Sequence, residues 1–365
     1  MKKGEIIMKR LALLLGSLLV VTAAASAKEV VPAPVVVEEA PVQIVEKEVI
    51  VYRDKEEGFR PNGNIGLEYK YYGETEGQDY DLNETKDNGA WNGANKYSRL
   101  QLAGAVNMTE NQRFEFRVRD YNDLQDASSN PVRPNQEKTG TETRLRYYYN
   151  HGLIGDSKVD LASRVEYFDY TDNDQRVEYQ ARFDFGAYLF DNDFIKTDYF
   201  IVAPKVGYRW GQGNDADYSQ RYGFDIETKH LFPYGFDIEL NIYNTYLAYG
   251  TSQGTAPDTY KDNIETDVEL YLHYNANLYT QDKWSVDLGT EWGYDPYNAY
   301  NKRTHDRAYY LKADQWITAT YQATEFVSVY GTLGAEYGNF AVTAEHDATN
   351  WRWQPYAALG FNVAF

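Results

Sequence analysis

The chain has 365 residues, no cysteine, 55 Asp and Glu against 36 Lys and Arg, and a formal net charge of −19. Without cysteine there are no disulfides and no thiolate metal sites. Such an acidic excess argues against nucleic-acid binding, where phosphates need Lys and Arg in surplus. Yet 35 Tyr, 16 Phe and 7 Trp are many rings for a polar chain, and Tyr and Trp suit places where one end of a ring is dry and the other wet.

Residues 1–27 combine a basic start (Lys9, Arg10), the apolar run LALLLGSLLVV and the small-residue site Ala25-Ser26-Ala27. This is the pattern of a secretory signal peptide. No later stretch approaches the ~20 consecutive apolar residues of a membrane helix. Residues 28–60 form a second piece, expected as a periplasmic Pro/Val-rich extension. Pro32, Pro34 and Pro41 oppose regular structure there. Val42, Val45, Val49 and Tyr52 fit a short helix or a strand equally well.

From Asn62 the pattern repeats to the end: ten to fifteen residues of alternation, a break, then another run. Fourteen runs lie near 63–73, 96–108, 113–122, 141–150, 158–170, 176–190, 198–210, 218–230, 235–249, 262–278, 284–294, 307–321, 326–338 and 350–365. About nine to eleven tilted strand residues cross a hydrocarbon core, so each run is long enough. An even number returns both ends of a barrel to one side. The breaks alternate too. TENQ (109–112), LFPYG (231–235) and QATE (322–325) are short, whereas 74–96, 122–140 and the stretches near 250–261, 295–306 and 339–349 are long. Residues 61–365 are therefore expected to form an all-β, transmembrane antiparallel β-barrel of about 14 strands, with 12–16 allowed by the boundaries. Short turns would face the periplasm and long loops the exterior.

Each run has two faces. In 113–119, Phe114, Phe116 and Val118 oppose Arg113, Glu115, Arg117 and Arg119; in 236–242, Phe236, Ile238, Leu240 and Ile242 oppose Asp237, Glu239 and Asn241. Periodicity alone does not separate a soluble sandwich from a lipid-facing barrel, but rings gather at both ends of the runs. Tyr208 with Trp210 and Trp351 with Trp353 lie beside long breaks; Phe232, Phe236, Trp284 and Phe326 lie beside short ones. Two girdles are expected of a membrane barrel. The final run, AALGFNVAF, places Phe361, Val363 and Phe365 on the greasy face, and the terminal aromatic resembles the C-terminal signal read by barrel-assembly machinery.

The polar faces are segregated by sign. Runs two to seven offer the lumen Arg99, Arg113, Arg117, Arg119, Arg144, Arg146, Arg164, Arg182, Lys205 and Arg209. Runs eight to thirteen offer Asp225, Glu227, Asp237, Glu239, Asp267, Glu269, Asp287, Glu291, Asp314 and Glu336. On closure a basic wall would face an acidic one, and charged rings of this kind set ion selectivity. The alternative is pairing along the wall, with Glu115, Glu142, Asp160, Glu166, Glu178 and Asp184 available in the basic half.

Several segments, RLALLLGSLLVV with its A-S-A site, VIVYRD, RPNG, SKVDLASRVE and WRWQP, resemble in their order the fusobacterial major outer-membrane porin family, FomA-type. The resemblance runs from signal to C-terminus. It implies a homotrimeric, water-filled general porin of the cell outer membrane, in contact with lipid and lipopolysaccharide, with surface loops associated with adhesion.

Enzyme chemistry is not expected. The five histidines lack metal spacing, and no G-x-S-x-G, P-loop or dinucleotide glycine pattern occurs. No cofactor and no metal are expected. Two other readings stay open. One is an adhesin or receptor carried on a barrel. The other is a sugar-specific channel using Tyr148, Phe168, Tyr170, Tyr188, Tyr243 and Tyr310.

Overall fold

The structure is a computed structural model that describes residues 58–73, 75–76, 90–91, 97–121, 140–171, 174–211, 218–254, 257–301, 306–339, 341–342 and 351–365. The expected export signal at 1–27, most of the segment 28–60 and most of the stretches 74–96 and 122–140 lie outside the described residues.

Fourteen strands make one closed antiparallel barrel in which each strand pairs with its neighbours in sequence. They are β1 (Asn62–Tyr72), β2 (Tyr97–Asn107), β3 (Gln112–Tyr121), β4 (Gly140–Leu153), β5 (Asp160–Asp169), β6 (Asp174–Asp184) and β7 (Lys196–Gly211). Then follow β8 (Tyr218–Leu231), β9 (Phe236–Gln253), β10 (Tyr260–Gln281), β11 (Trp284–Asn301), β12 (Asp306–Gln322), β13 (Val327–Asn339) and β14 (Trp351–Ala364). The ring is sealed by β1 against β14, with Asn64↔Ala364 at one end of the ladder and Tyr72↔Tyr356 at the other. All fourteen alternating runs are strands.

The breaks after β2, β4, β6, β8, β10 and β12 share one end of the barrel. Local polar groups close them. Thr324 Oγ1 accepts from the backbone of Phe326 (3.2 Å) and Val327 (3.0 Å). Between β8 and β9, Gly235 has φ 85, and a Cβ there would stand 2.1 Å from the Asn275 carbonyl oxygen, so only glycine fits.

The opposite end departs from expectation in two places. The stretches near 250–261 and 295–306 read as loops, yet β9, β10 and β11 run into them, pairing Gln253 with Tyr260 and Asn298 with Ala308. β10 alone has 22 residues, about twice what a hydrocarbon core requires. The stretches by which β9 and β11 pass their alternating runs, TSQ at 251–253 and DPYNAYN at 295–301, carry no apolar alternation. A two-residue ladder, Ala341↔Trp91 and Val342↔Ala90, joins two of the long connections.

Burial in this barrel is the reverse of a water-soluble protein. Large apolar side chains stand exposed on the outer face, among them Leu333 at 71%, Leu359 at 69% and Val206 at 46%. Charged and amide side chains are the buried ones, with Glu166 at 1%, Gln180 at 0% and Asp225 at 2%. An outer face of this kind is matched by hydrocarbon, where the closed ladder satisfies every strand N–H and C=O. Ring pairs mark both ends of that face. Tyr208 with Trp210 (5.8 Å between centroids) and Tyr337 with Trp353 (4.8 Å) lie toward the long loops. Phe236 with Tyr274 (4.5 Å) and Trp284 with Tyr321 (4.9 Å) lie toward the short turns.

Leu240 pairs with Leu270 and Thr228 on the outer face, next in sequence to the inward Glu239. An arginine near the bilayer midplane costs about 2–4 kcal/mol. Leu240→Arg should therefore lower the unfolding free energy of the lipid-reconstituted barrel by that order, whereas Glu239→Gln should leave it nearly unchanged, as read by urea titration of tryptophan fluorescence.

Candidate functional site: the charged lumen

Fourteen strands about 4.8 Å apart and tilted about 40° enclose a backbone cylinder about 28 Å across. Strands seven apart in the ring stand on opposite walls, so β3 faces β10 and β4 faces β11. Strand alternation turns every second side chain inward, and among the described residues two of the cavities these side chains line stand out. The larger has a volume of about 900 Å³ and is bounded by residues of β3 through β11; the smaller, about 350 Å³, is bounded by β1, β2, β12, β13 and β14.

Of the basic residues expected on the lumen, Arg117, Arg119, Arg144, Arg146, Arg164 and Lys205 line the larger cavity. Of the acidic ones, Asp225, Glu227, Glu239, Asp267, Glu269 and Glu291 do. Arg99, Asp314 and the unexpected Lys70 line the smaller cavity. The others border neither. Arg113, half exposed, pairs with Glu115 at 2.9 Å. Arg182 grips Glu227 with two guanidinium nitrogens at 2.8 and 2.5 Å. Arg209 pairs with Asp174 at 2.6 Å, Asp237 with Lys229 at 3.2 Å, and Asp287 accepts from Asn277 at 2.7 Å. Glu336, 9% exposed, stands opposite Asp314 on the neighbouring strand. Phe361 and Val363 pair with Val329 and Val327 on β13, and Phe365 follows the last strand residue, 41% exposed.

Arg176, Arg221 and Glu265 also line the larger cavity and escaped the sequence reading. The signal was there: Arg176 shares the parity of Arg182, Arg221 that of Asp225, and Glu265 that of Asp267.

Much of the lumen charge is neutralised along the wall. Glu166, its side chain 2% exposed, accepts from both Arg146 and Arg176. Glu142 is shared by Arg117 at 3.1 Å and Arg119 at 3.2 Å. Lys205 meets Asp225 at 2.5 Å, Arg164 meets Glu178 at 3.6 Å, and Arg221 meets Glu265 at 3.7 Å. A chain of contacts crosses five strands. Lys229 reaches Asp237, which meets His273 Nδ1 at 2.7 Å; His273 Nε2 lies 3.3 Å from Glu291, which takes Lys312 at 3.0 Å.

What remains after this pairing is uneven. Among the described residues Arg144 on β4 forms no ion pair. On the other side, Glu239 and Glu269 share the neutral donor Asn241 Nδ2 at 2.9 and 3.3 Å, and Glu269 takes the Tyr243 hydroxyl at 3.2 Å. Among the described residues no cation reaches either carboxylate within ion-pair distance, and Asp267 Oδ1 has no hydrogen-bond partner. The larger cavity is lined by eight Lys and Arg and nine Asp and Glu. The lining is thus close to neutral in sum, and its unpaired charge is local.

In the smaller cavity aromatic rings lie flat on the wall. Tyr330 covers Gly360 and Tyr356 covers Gly334, where a Cβ would stand 2.4 and 2.3 Å from the ring atoms. Their hydroxyls donate to Glu68 at 3.0 Å and Asp314 at 2.8 Å, and Lys70 Nζ sits 3.5 Å over the Tyr356 ring.

No protein-family model and no curated protein matches the chain. Solved structures similar to it include a bacterial polysaccharide outer membrane secretin at 10% identity and a TM-score of 0.39, covering 83% of this chain and 98% of that one. The outer membrane channel DcaP of Acinetobacter baumannii matches at 10% identity and a TM-score of 0.36, covering 84% and 96%. The anion-selective porin from Comamonas acidovorans matches at 10% identity and a TM-score of 0.33, covering 84% and 99%.

Removing the shared acceptor of a buried triad leaves two guanidinium groups uncompensated, a loss of about 3–5 kcal/mol when one partner of a buried pair is removed. Glu166→Gln should lower the stability of the reconstituted barrel by that order. The double change Glu166→Gln with Arg176→Met should recover part of it, as measured by urea unfolding in lipid vesicles.

Proposed function

We propose that this barrel is an outer-membrane porin, a water-filled channel through which ions and small hydrophilic solutes diffuse passively. The observation that carries this reading is the inverted burial: a closed barrel whose exterior is apolar and whose interior holds a charged cavity of about 900 Å³. A side-chain-filled barrel would need no such cavity, and a soluble protein would not expose Leu333 and Leu359.

On this reading residues 1–27 direct export, residues 28–60 extend into the periplasm, and Phe361, Val363 and Phe365 engage the assembly machinery. The chain belongs with the FomA-type porins it resembles, as a homotrimer surrounded by lipid and lipopolysaccharide. The constriction is the level of the larger cavity, between the arginines of β3 and β4 and the carboxylates of β10 and β11. Its action is passive, with no chemical step.

The test is single-channel recording of refolded protein in a planar bilayer under a salt gradient. Ohmic steps arriving in threes are expected, and a folded but silent barrel would overturn the reading. Arg144→Glu reverses a charge that forms no ion pair among the described residues, so it should move the reversal potential toward cation preference. Arg146→Glu should disturb folding as well, because Arg146 holds Glu166.

A sugar-specific channel is favoured by one observation, the Tyr330 ring laid over Gly360 beside Glu68, Arg99 and Asp314 in the smaller cavity. Saturable block of the current by one sugar and not its isomers would select it.

A further inference from the structure

The larger cavity keeps charge of opposite sign on opposite walls after its internal pairs are made. We propose that this residue of charge forms a two-ended binding site for short zwitterionic peptides, which dwell there during passage. The inference rests on the channel reading and names the solute class that the channel favours.

At the basic end, Arg144 forms no ion pair among the described residues, and Arg117 and Arg119 divide one carboxylate between them. A solute carboxylate meets guanidinium donors in planar, two-pronged geometry there. At the acidic end, Glu239 and Glu269 are supported by the neutral donor Asn241, and Asp267 Oδ1 is unpartnered. An ammonium group supplies what these carboxylates lack, namely a cation with three donors. The two ends belong to one cavity, and β3 and β10 are diametrically opposed in the ring.

Three alternatives fit less well. A simple anion gains at Arg144 but is repelled by the carboxylates, and a simple cation meets the reverse. A neutral sugar finds both rings of the cavity already faced, Tyr243 by Lys205 Nζ at 5.9 Å and Tyr271 by the His273 ring at 5.7 Å. A molecule with both charges at a fixed separation gains at each end. An extended tripeptide spans about 10 Å between its termini. That length reaches across much of the water gap left once side chains extend inward from a barrel about 28 Å wide. The cavity volume lies within the range of about 300–1,000 Å³ typical of small-molecule sites.

The experiment is single-channel recording of refolded protein with four probes of one backbone: triglycine, its N-acetyl form, its C-terminal amide, and the doubly blocked neutral form. Triglycine should produce the longest current interruptions, each singly blocked form shorter ones, and the neutral form none. Arg144→Gln should shorten triglycine residence about fivefold, the order one partly screened charge pair supplies. Asp267→Asn should do the same from the opposite wall, which keeps the test intact if one variant fails to fold. Lys283→Gln, in the turn between β10 and β11, should change nothing.

Equal residence of triglycine and its neutral form would overturn the inference, as would unchanged residence in both wall variants. An ohmic channel blind to all four probes overturns the peptide site alone. Absence of conductance in plain KCl overturns the channel reading itself.

Discussion

Hydrocarbon offers no partner to a backbone N–H or C=O, and in this molecule that constraint is met by sealing β1 against β14 so that no strand edge remains. Everything else in the barrel follows from a closed sheet with a period of two. One face of each strand must satisfy lipid, so Val165, Leu333 and Leu359 turn outward. The other face has nowhere to go but inward, and its polar groups must satisfy one another or water. The buried Gln180 illustrates this, since it donates to Glu178 at 3.1 Å and to Asp225 at 2.6 Å.

On the channel reading proposed above, the lumen has two tasks with opposing demands. Holding a row of arginines in a confined space requires nearby carboxylates, which β4, β5 and β6 supply through Glu142, Glu166 and Glu178. Acting on a solute requires that some charge stay uncompensated. The wall resolves this by position, with pairing dense along β5 to β8 and sparse at Arg144 and at the cluster of Glu239, Asp267 and Glu269. The contacts through His273 tie β8 to β12 and keep Asp237 and Glu291 engaged, leaving the carboxylates nearer the centre of β9 and β10 to face water.

The strands were legible because each strand has a lipid side. Alternation such as FEFRV or FDIEL survives any choice of partner, and all fourteen runs follow it. Legibility stopped where lipid stops. β9 and β11 run on past their alternating stretches, where TSQ and DPYNAYN carry no period and read as loops. The direction of each charged side chain was likewise readable from parity. Its partner was not, because pairing Glu166 with both Arg146 and Arg176 depends on the registers of β4 with β5 and of β5 with β6. The pairs along the wall that the polar faces allowed, Arg117 with Glu142, Arg146 with Glu166 and Arg164 with Glu178, are present.

The seam between the two ends of the chain has a consequence for timing. Gln354 on β14 donates its amide to the Gly73 carbonyl just beyond β1, across a sequence separation of 281 residues. A chain emerging from the ribosome has made every other strand before the one that completes the ring. Until then each intermediate carries two unpaired edges, templates for pairing with other chains. Synthesis and folding are thus separated by topology: an incomplete sheet of this kind must be kept extended and accompanied until β14 arrives, and only then does insertion into a membrane become favourable.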